Sequence, residues 1–250
     1  MKFNTSSVHT ALGLMAGVSN GGRPFLIGFE ASRHLSRGDF LDINPTTIDM
    51  PICEETIVGA AIGLALAGQD VVVDLMFEGF LSRCLEPILI GWPTALAVAQ
   101  GEVGRVVIRV LGSPVELGGP SHSAHVLGQL GGIGHVHVLH ATSAEDLTWA
   151  LEAFEKNRLL IVVDPPRPHL VRGDLFSIPG SPPMRYWRRG SRTLTVCSHA
   201  ELEVIVAFID AGRNDSDVLS TASGTVGPEV IKHLPRYDSV EFHGAKLADS

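Results

Sequence analysis

The chain has 250 residues, 45% of them hydrophobic, with 27 Gly, 15 Pro and a formal net charge of −8. That size and hydrophobic share fit one large domain, or one domain plus a small appendage, and exclude a disordered chain. An acidic balance without a basic run argues against nucleic acid or anionic lipid as partner, and the longest apolar stretch, 57–68, is too short to span a membrane.

Segments of strand length alternate with segments of helix length. Residues 7–18 read as a helix capped by Ser6 or Ser7. A short strand at 25–28 precedes a polar, turn-rich stretch, 31–47, and then a helix that follows Glu54. Valine-rich 71–75 reads as a strand, 81–90 as a helix and 106–110 as a buried strand. A glycine-rich loop, 112–121, leads to a short helix near 125–130. A strand at 136–139 comes next. It is followed by a helix at 143–156, opened by the capping sequence Ser143-Ala144-Glu145-Asp146, and a strand at 159–163. Continuous apolar strands separated by helices predict an α/β fold, a parallel, doubly wound sheet covered on both faces.

From 164 to 191 the composition changes. Pro165, Pro166, Pro168, Pro179, Pro182 and Pro183 predict an irregular linker. Strands at 193–196, 217–219 and 239–242 follow, with helices at 201–211 and 228–233 between them. The expected organisation is therefore a first domain over 1–165, a Pro-rich linker over 166–191 and a shortened C-terminal α/β domain over 192–250. So small a second domain is near the lower limit for an independent core.

Cys53, Cys84 and Cys197 are isolated, without metal-ligand spacing, as expected in a reducing compartment. The N-terminus lacks the basic segment and cleavage pattern of a signal peptide. A cytoplasmic protein is expected.

Three places invite a chemical reading. In Asp49-Met50-Pro51-Ile52-Cys53-Glu54-Glu55-Thr56-Ile57-Val58-Gly59, a carboxylate ends a polar loop and faces an almost wholly apolar helix. A carboxylate against such a wall loses hydration, which favours its protonated form; structurally, Glu54 or Glu55 also suits the first turn of a helix through the macrodipole. His122 lies in a Gly/Pro/Ser loop, where functional residues concentrate. His135, His137 and His140 tempt a metal reading. On a strand, however, only His135 and His137 share a face, and no acidic or sulfur ligand joins them, so no metal site is expected.

The order of these elements and the residues at their junctions resemble the beta subunit of thiamine-diphosphate-dependent 2-oxo acid dehydrogenases (pyruvate, branched-chain and acetoin), with transketolase a more distant relative. Pro51-Ile52-Cys53-Glu54 is similar to the family's Pro-Ile-Ser-Glu. Leu75-Met76-Phe77-Glu78-Gly79-Phe80 looks like the strand end that carries an aromatic residue, and Gly118-Gly119-Pro120-Ser121-His122-Ser123 is similar to Gly-Pro-Gln-His-Ser. The likeness covers about 7–163 well and the remainder weakly. It implies that Glu54, not Glu55, hydrogen-bonds the cofactor's aminopyrimidine ring, that Phe80 stacks on that ring, and that His122 faces the thiazolium and substrate.

Departures from the pattern are equally specific. Gly28-Phe29-Glu30 stands where the family has Gly-Glu-Glu, Lys156 falls near a potassium-site aspartate, and Ser121 replaces the glutamine before the histidine. The Gly-Asp-Gly…Asn motif that holds Mg²⁺ and diphosphate is not found; Gly38-Asp39-Phe40 lacks its second glycine. The resemblance therefore implies half a site, completed by an alpha-type subunit carrying Mg²⁺ in an alpha2beta2 assembly, with a lipoyl or acyl-carrier protein as a further partner. Two other readings stay open: a subunit of a split transketolase or acyloin synthase, and a non-catalytic binding or regulatory subunit with the same fold.

Overall fold

The computed structural model describes residues 23–35, 45–112, 126–130, 133–153, 159–164, 173–176, 184–199, 209–221 and 237–243. Shorter pieces at 11, 15, 205–206, 225–226, 230, 232, 234–235 and 246–247 are also described. Contacts divide the chain into two compact units: 1–139 with 151–164, and 140–150 with 165–250.

The first unit is built on β1 (Phe25–Phe29), β2 (Thr46–Met50), β3 (Val71–Phe77), β4 (Val106–Leu111), β5 (Val136–His140) and β6 (Leu159–Asp164). Their order across the sheet is β2-β1-β3-β4-β6-β5. Neighbours from β2 to β6 run parallel, so the doubly wound α/β expectation holds. Every residue of β4 and β6 is buried, which is why these strands read as unbroken apolar runs instead of alternating ones. Against one face of them Trp92, Leu81, Ile88, Ile57 and Val58 pack in one core cluster. Each fully buried aliphatic side chain there contributes roughly 1.5–3 kcal/mol.

Helix α1 spans Ala31–Leu35 and α2 spans Glu54–Leu66. The apolar α2 buries Ile57, Val58, Ala61, Ile62 and Ala65 and leaves Gly59, Gly63 and Leu66 exposed. It stops because Gly68 takes φ +81, a left-handed conformation that costs glycine little; the Gly68 amide donates to Ala65 O at 2.9 Å.

The sequence predicts one helix over 81–90. The structure instead has a 3₁₀ turn at Glu78–Cys84, a π-type turn at Pro87–Gly91 and α3 at Trp92–Val98. Pro87 and Pro93 each lack a backbone N–H and clash with the preceding turn, so regular i→i−4 bonding cannot run through them. Strand β2 begins within the stretch read as turn-rich, 31–47, and runs past it to Met50. It is an edge strand whose alternating Thr46-Thr47-Ile48-Asp49-Met50 is only partly buried.

Helix α4 is the short Leu127–Leu130, and α5 spans Ala144–Ala153. The capping box at the start of α5 is reciprocal, as the sequence predicts. The Ser143 amide donates to Asp146 Oδ2 at 3.0 Å, and the Asp146 amide to Ser143 Oγ at 3.3 Å.

The second unit carries β7 (Asp174–Phe176), β8 (Met184–Trp187), β9 (Thr193–Ser198), β10 (Asp217–Thr221) and β12 (Ser239–His243), ordered β12-β9-β10-β8-β7. Strand β11 (Thr225–Val226) pairs separately with β13 (Lys246–Leu247). Strands β7 and β8 lie inside the Pro-rich stretch that composition assigns to irregular structure. They occupy its proline-free parts, and the antiparallel β7 sits at the sheet edge.

Within this unit the His199 Nδ1–H donates to His140 O at 2.8 Å, and Arg185 Nε–H donates to Thr142 Oγ1 at 2.8 Å. Burial pushes the His140 imidazole down to about 4, helped by nearby His199. Burial also lowers His199, against the opposing pull of Asp146. Both rings are therefore neutral in the folded protein near pH 7. Their unfolded counterparts bind a proton below roughly 6.5. Stability from this pair is thus fully present above that pH and is lost as pH falls towards 4. Because the His140 ring keeps some exposure, we expect about 2 kcal/mol, at the low end of what the shift allows. Urea unfolding at pH 7 and pH 4.5 should show this loss, and His140→Gln should flatten it. Equal pH slopes for the two proteins would contradict the assignment.

Candidate active site

In an open parallel sheet, ligands bind outside the carboxyl ends of the strands, where the strand order reverses. Here the chain leaves β1 towards β2 and then crosses back to β3 on the other side of β1, so the reversal lies between β1 and β3. A recess of about 190 Å³ opens there. It is lined by Phe29 from the end of β1, Ile52, Glu54 and Ile57 from the start of α2, and Asp74, Leu75, Met76, Phe77 and Phe80 from β3 and the turn after it.

Local sequence explains each contribution. Gly28 lets β1 approach β3, since a Cβ there would sit 2.7 Å from Asp74 O. Beyond it Phe29 reaches the recess and Glu30 turns the chain with φ 49. Cys53 begins α2 without a side-chain cap hydrogen bond; its Sγ lies 3.0 Å from Thr56 Oγ1. Glu54 is half-buried in the first helical turn, whereas Glu55 is exposed and does not line the recess. The rings of Phe77 and Phe80 meet edge to face, with centroids 5.7 Å apart. In the adjoining core, burial pushes the Cys84 thiol up to about 12, with Glu54 and Glu55 adding to the shift; this sulfur is not a nucleophile. Its neighbour Cys53 is exposed.

Of the residues singled out in the sequence, Glu54 and Phe80 come together in this recess, and Phe29 joins them. His122, Lys156 and Gly38-Asp39-Phe40 lie outside the described residues. His135 Nε2 is 3.1 Å from Ile88 O. Among the described residues no group of three His, Cys, Asp or Glu is placed to hold a metal ion.

Three charged residues near the recess, Asp74, Arg109 and Asp164, belong to none of the motifs. Arg109 is 2% exposed and lies between Asp74 and Asp164, exposed 4% and 2%. It donates from Nε to Asp164 Oδ2 at 2.8 Å and from Nη1 to Asp74 Oδ1 at 3.2 Å. Burial alone would lower its pKa, but the two carboxylates more than offset that and raise it. Glu78, also buried, accepts from the Val126 and Leu127 amides at 2.9 and 3.4 Å, tying the turn after β3 to the start of α4. The signal for the ion triad was present in the sequence. Asp74, Arg109 and Asp164 are each the single charge in an otherwise apolar strand, and buried charges are rare unless paired.

Residues 10–165 match the transketolase pyrimidine-binding domain. The chain belongs to that family. The match ends where β6 ends, so this pyrimidine-binding domain contains the whole recess. Among solved structures, a chain described as a split-gene transketolase in an inactive beta4 tetramer is similar at 15% identity. Its TM-score is 0.54, covering 97% of this chain and 89% of that one. At such identity the likeness speaks for the fold alone. No curated protein matches the chain.

The recess suits the ring that gives this domain family its name. Among the described residues its walls are apolar and aromatic apart from two carboxylates, with no basic group for a phosphate. At about 190 Å³ it is smaller than the roughly 300–1,000 Å³ of sites that enclose a whole drug-sized ligand. A flat heteroaromatic ring with a hydrogen-bonding edge fits such a lining; a diphosphate does not.

Proposed function

We propose that this chain is the beta-type subunit of a heteromeric thiamine-diphosphate enzyme that cleaves a 2-oxo acid or ketol donor and transfers the two-carbon unit. The observation that carries this reading is the joint placement of Glu54 and Phe80 in an aromatic recess at the β1/β3 reversal.

Thiamine diphosphate, when bound, supplies the electron sink for breaking a bond next to a carbonyl. Glu54 would hold a proton at the edge of the pyrimidine ring, a position its half-buried carboxyl reaches from the first turn of α2. Phe80 and Phe29 would flank the ring and exclude water. His122 would donate to the substrate oxygen or carboxylate, or move a proton as the product leaves. An alpha-type subunit would bring Mg²⁺ and the diphosphate site, in an alpha2beta2 assembly; exposed Ile52, Ile90 and Val98 offer apolar surface for such contacts. A lipoyl or acyl-carrier protein would accept the unit in the dehydrogenase version of this chemistry.

The split transketolase reading is favoured by one observation. The structural neighbour so described shares the fold over 97% of this chain and 89% of its own length. Carbon dioxide separates the two readings, because 2-oxo acid cleavage releases it and ketol transfer does not.

The isolated chain should bind thiamine diphosphate with Mg²⁺ more weakly than roughly 0.1 mM, since only part of the ligand is enclosed. Adding the alpha-type chain should tighten binding and give turnover. Calorimetry on the single chain and on the mixture checks both. Tight, Mg²⁺-dependent binding by the single chain would show that the half-site account is wrong.

A further inference from the structure

We propose that Asp74 is a positioning residue for the recess, holding the chain bend that brings the successive β3 residues Leu75, Met76 and Phe77 to its wall. This rests on the reading of the recess as a ligand site.

In a regular strand, side chains alternate between faces, so Leu75 and Phe77 would point one way and Met76 the other. Here Leu75, Met76 and Phe77 all line the recess. The alternation breaks because β3 and β4 slip register between Asp74 and Phe77, with Met76 at φ 69. Methionine has no intrinsic preference for that left-handed conformation, so its surroundings impose it. The Asp74 carboxylate supplies the hold. Its Oδ1 accepts the Met76 amide at 3.1 Å, two residues on, while Arg109 Nη1–H donates to the same oxygen at 3.2 Å. Arg109 is fixed from its other side by Asp164. Asp74 also lines the recess itself. One buried carboxylate thus joins the ion triad, the bend and the wall.

Asp164 is the internal control. It belongs to the same triad and is equally buried, but it does not line the recess. The test uses the full-length chain labelled with ¹³C-methyl and ¹⁵N methionine. Its Met76 methyl signal is identified by Met76→Leu. In the unmodified chain the Met76 amide should exchange slowly, and its methyl should resonate away from the random-coil position because of the surrounding phenyl rings. Asp74→Ala should return the methyl to the random-coil position, whereas Asp164→Asn, with a comparable loss of thermal stability, should leave it in place. A fast-exchanging Met76 amide, which needs no variant to measure, would overturn the proposal. So would indistinguishable Met76 signals in the two variants.

Titrated thiamine supplies the second arm. It should perturb the Met76 methyl in the unmodified chain and in Asp164→Asn, with at least about tenfold weaker binding in Asp74→Ala, as small displacements in a preorganised site can cost that much. No perturbation in the unmodified chain would sink the reading of the recess as a pyrimidine site while leaving the bend assignment to the exchange and variant data.

Discussion

Glu54→Gln is expected to cut turnover of the reconstituted complex by about 10²–10⁴-fold, the range that a positioned proton-transfer group contributes. The amide keeps the size of the carboxyl and its place between Ile52 and Ile57 on the recess wall. Packing of α2 is therefore unchanged, and association with the alpha-type chain should be too. What the variant loses is the capacity to hold and release a proton at the ring edge. Glu55→Gln is the control, because Glu55 is one residue away but exposed and outside the recess; its turnover should stay within a few-fold. Steady-state rates together with light scattering of the complexes separate chemistry from assembly. An active Glu54→Gln, or an inactive Glu55→Gln, would move the register of the site.

The strands that frame this recess were legible because their burial leaves few alternatives. A run such as Val71-Val72-Val73 can only be satisfied inside a parallel sheet, and the junction Pro51-Ile52-Cys53-Glu54 fixes where the next helix begins. Edge elements were harder to see. Strand β2 buries little, so its residues show no more apolar signal than a loop, and β7 and β8 are short strands set among prolines. The segment 81–90 reads as one helix because its apolar spacing suits a helical face, while Pro87 divides it between a 3₁₀ turn and a π-type turn.

The recess wall itself was only half visible. Glu54 and Phe80 follow from motif position, but the contribution of Met76 depends on a register slip. No periodicity rule contains such a slip, because periodicity assumes regular alternation. Each of the three charges in the triad looks anomalous in its own strand. Only the strand order, which brings β3, β4 and β6 side by side, shows that they answer one another.

Arg109→Met is the substitution expected to affect stability most. It is close to isosteric but leaves Asp74 and Asp164 facing each other without the cation between them. Breaking a buried ion pair by removing one partner costs about 3–5 kcal/mol, which for a chain of this size lowers the melting temperature by roughly 10 °C or more. The pH dependence gives the mechanism away. Without the guanidinium, each buried carboxyl has a folded pKa above its unfolded value. The variant is then relatively most stable below the unfolded pKa, near 4, and loses ground as pH rises through the folded values. The gap between the two proteins should therefore be widest at pH 7 and narrow towards pH 5. Any contribution from His140 and His199 is common to both and cancels in the difference. Adding Asp74→Asn and Asp164→Asn to Arg109→Met should recover much of the loss at pH 7, because no unpaired buried charge remains. Thermal melts of the three proteins at pH 5 and pH 7 decide the matter. A gap of less than about 1 kcal/mol at pH 7, the range of an exposed ion pair, would mean that water reaches the triad and that the charges are not held by burial.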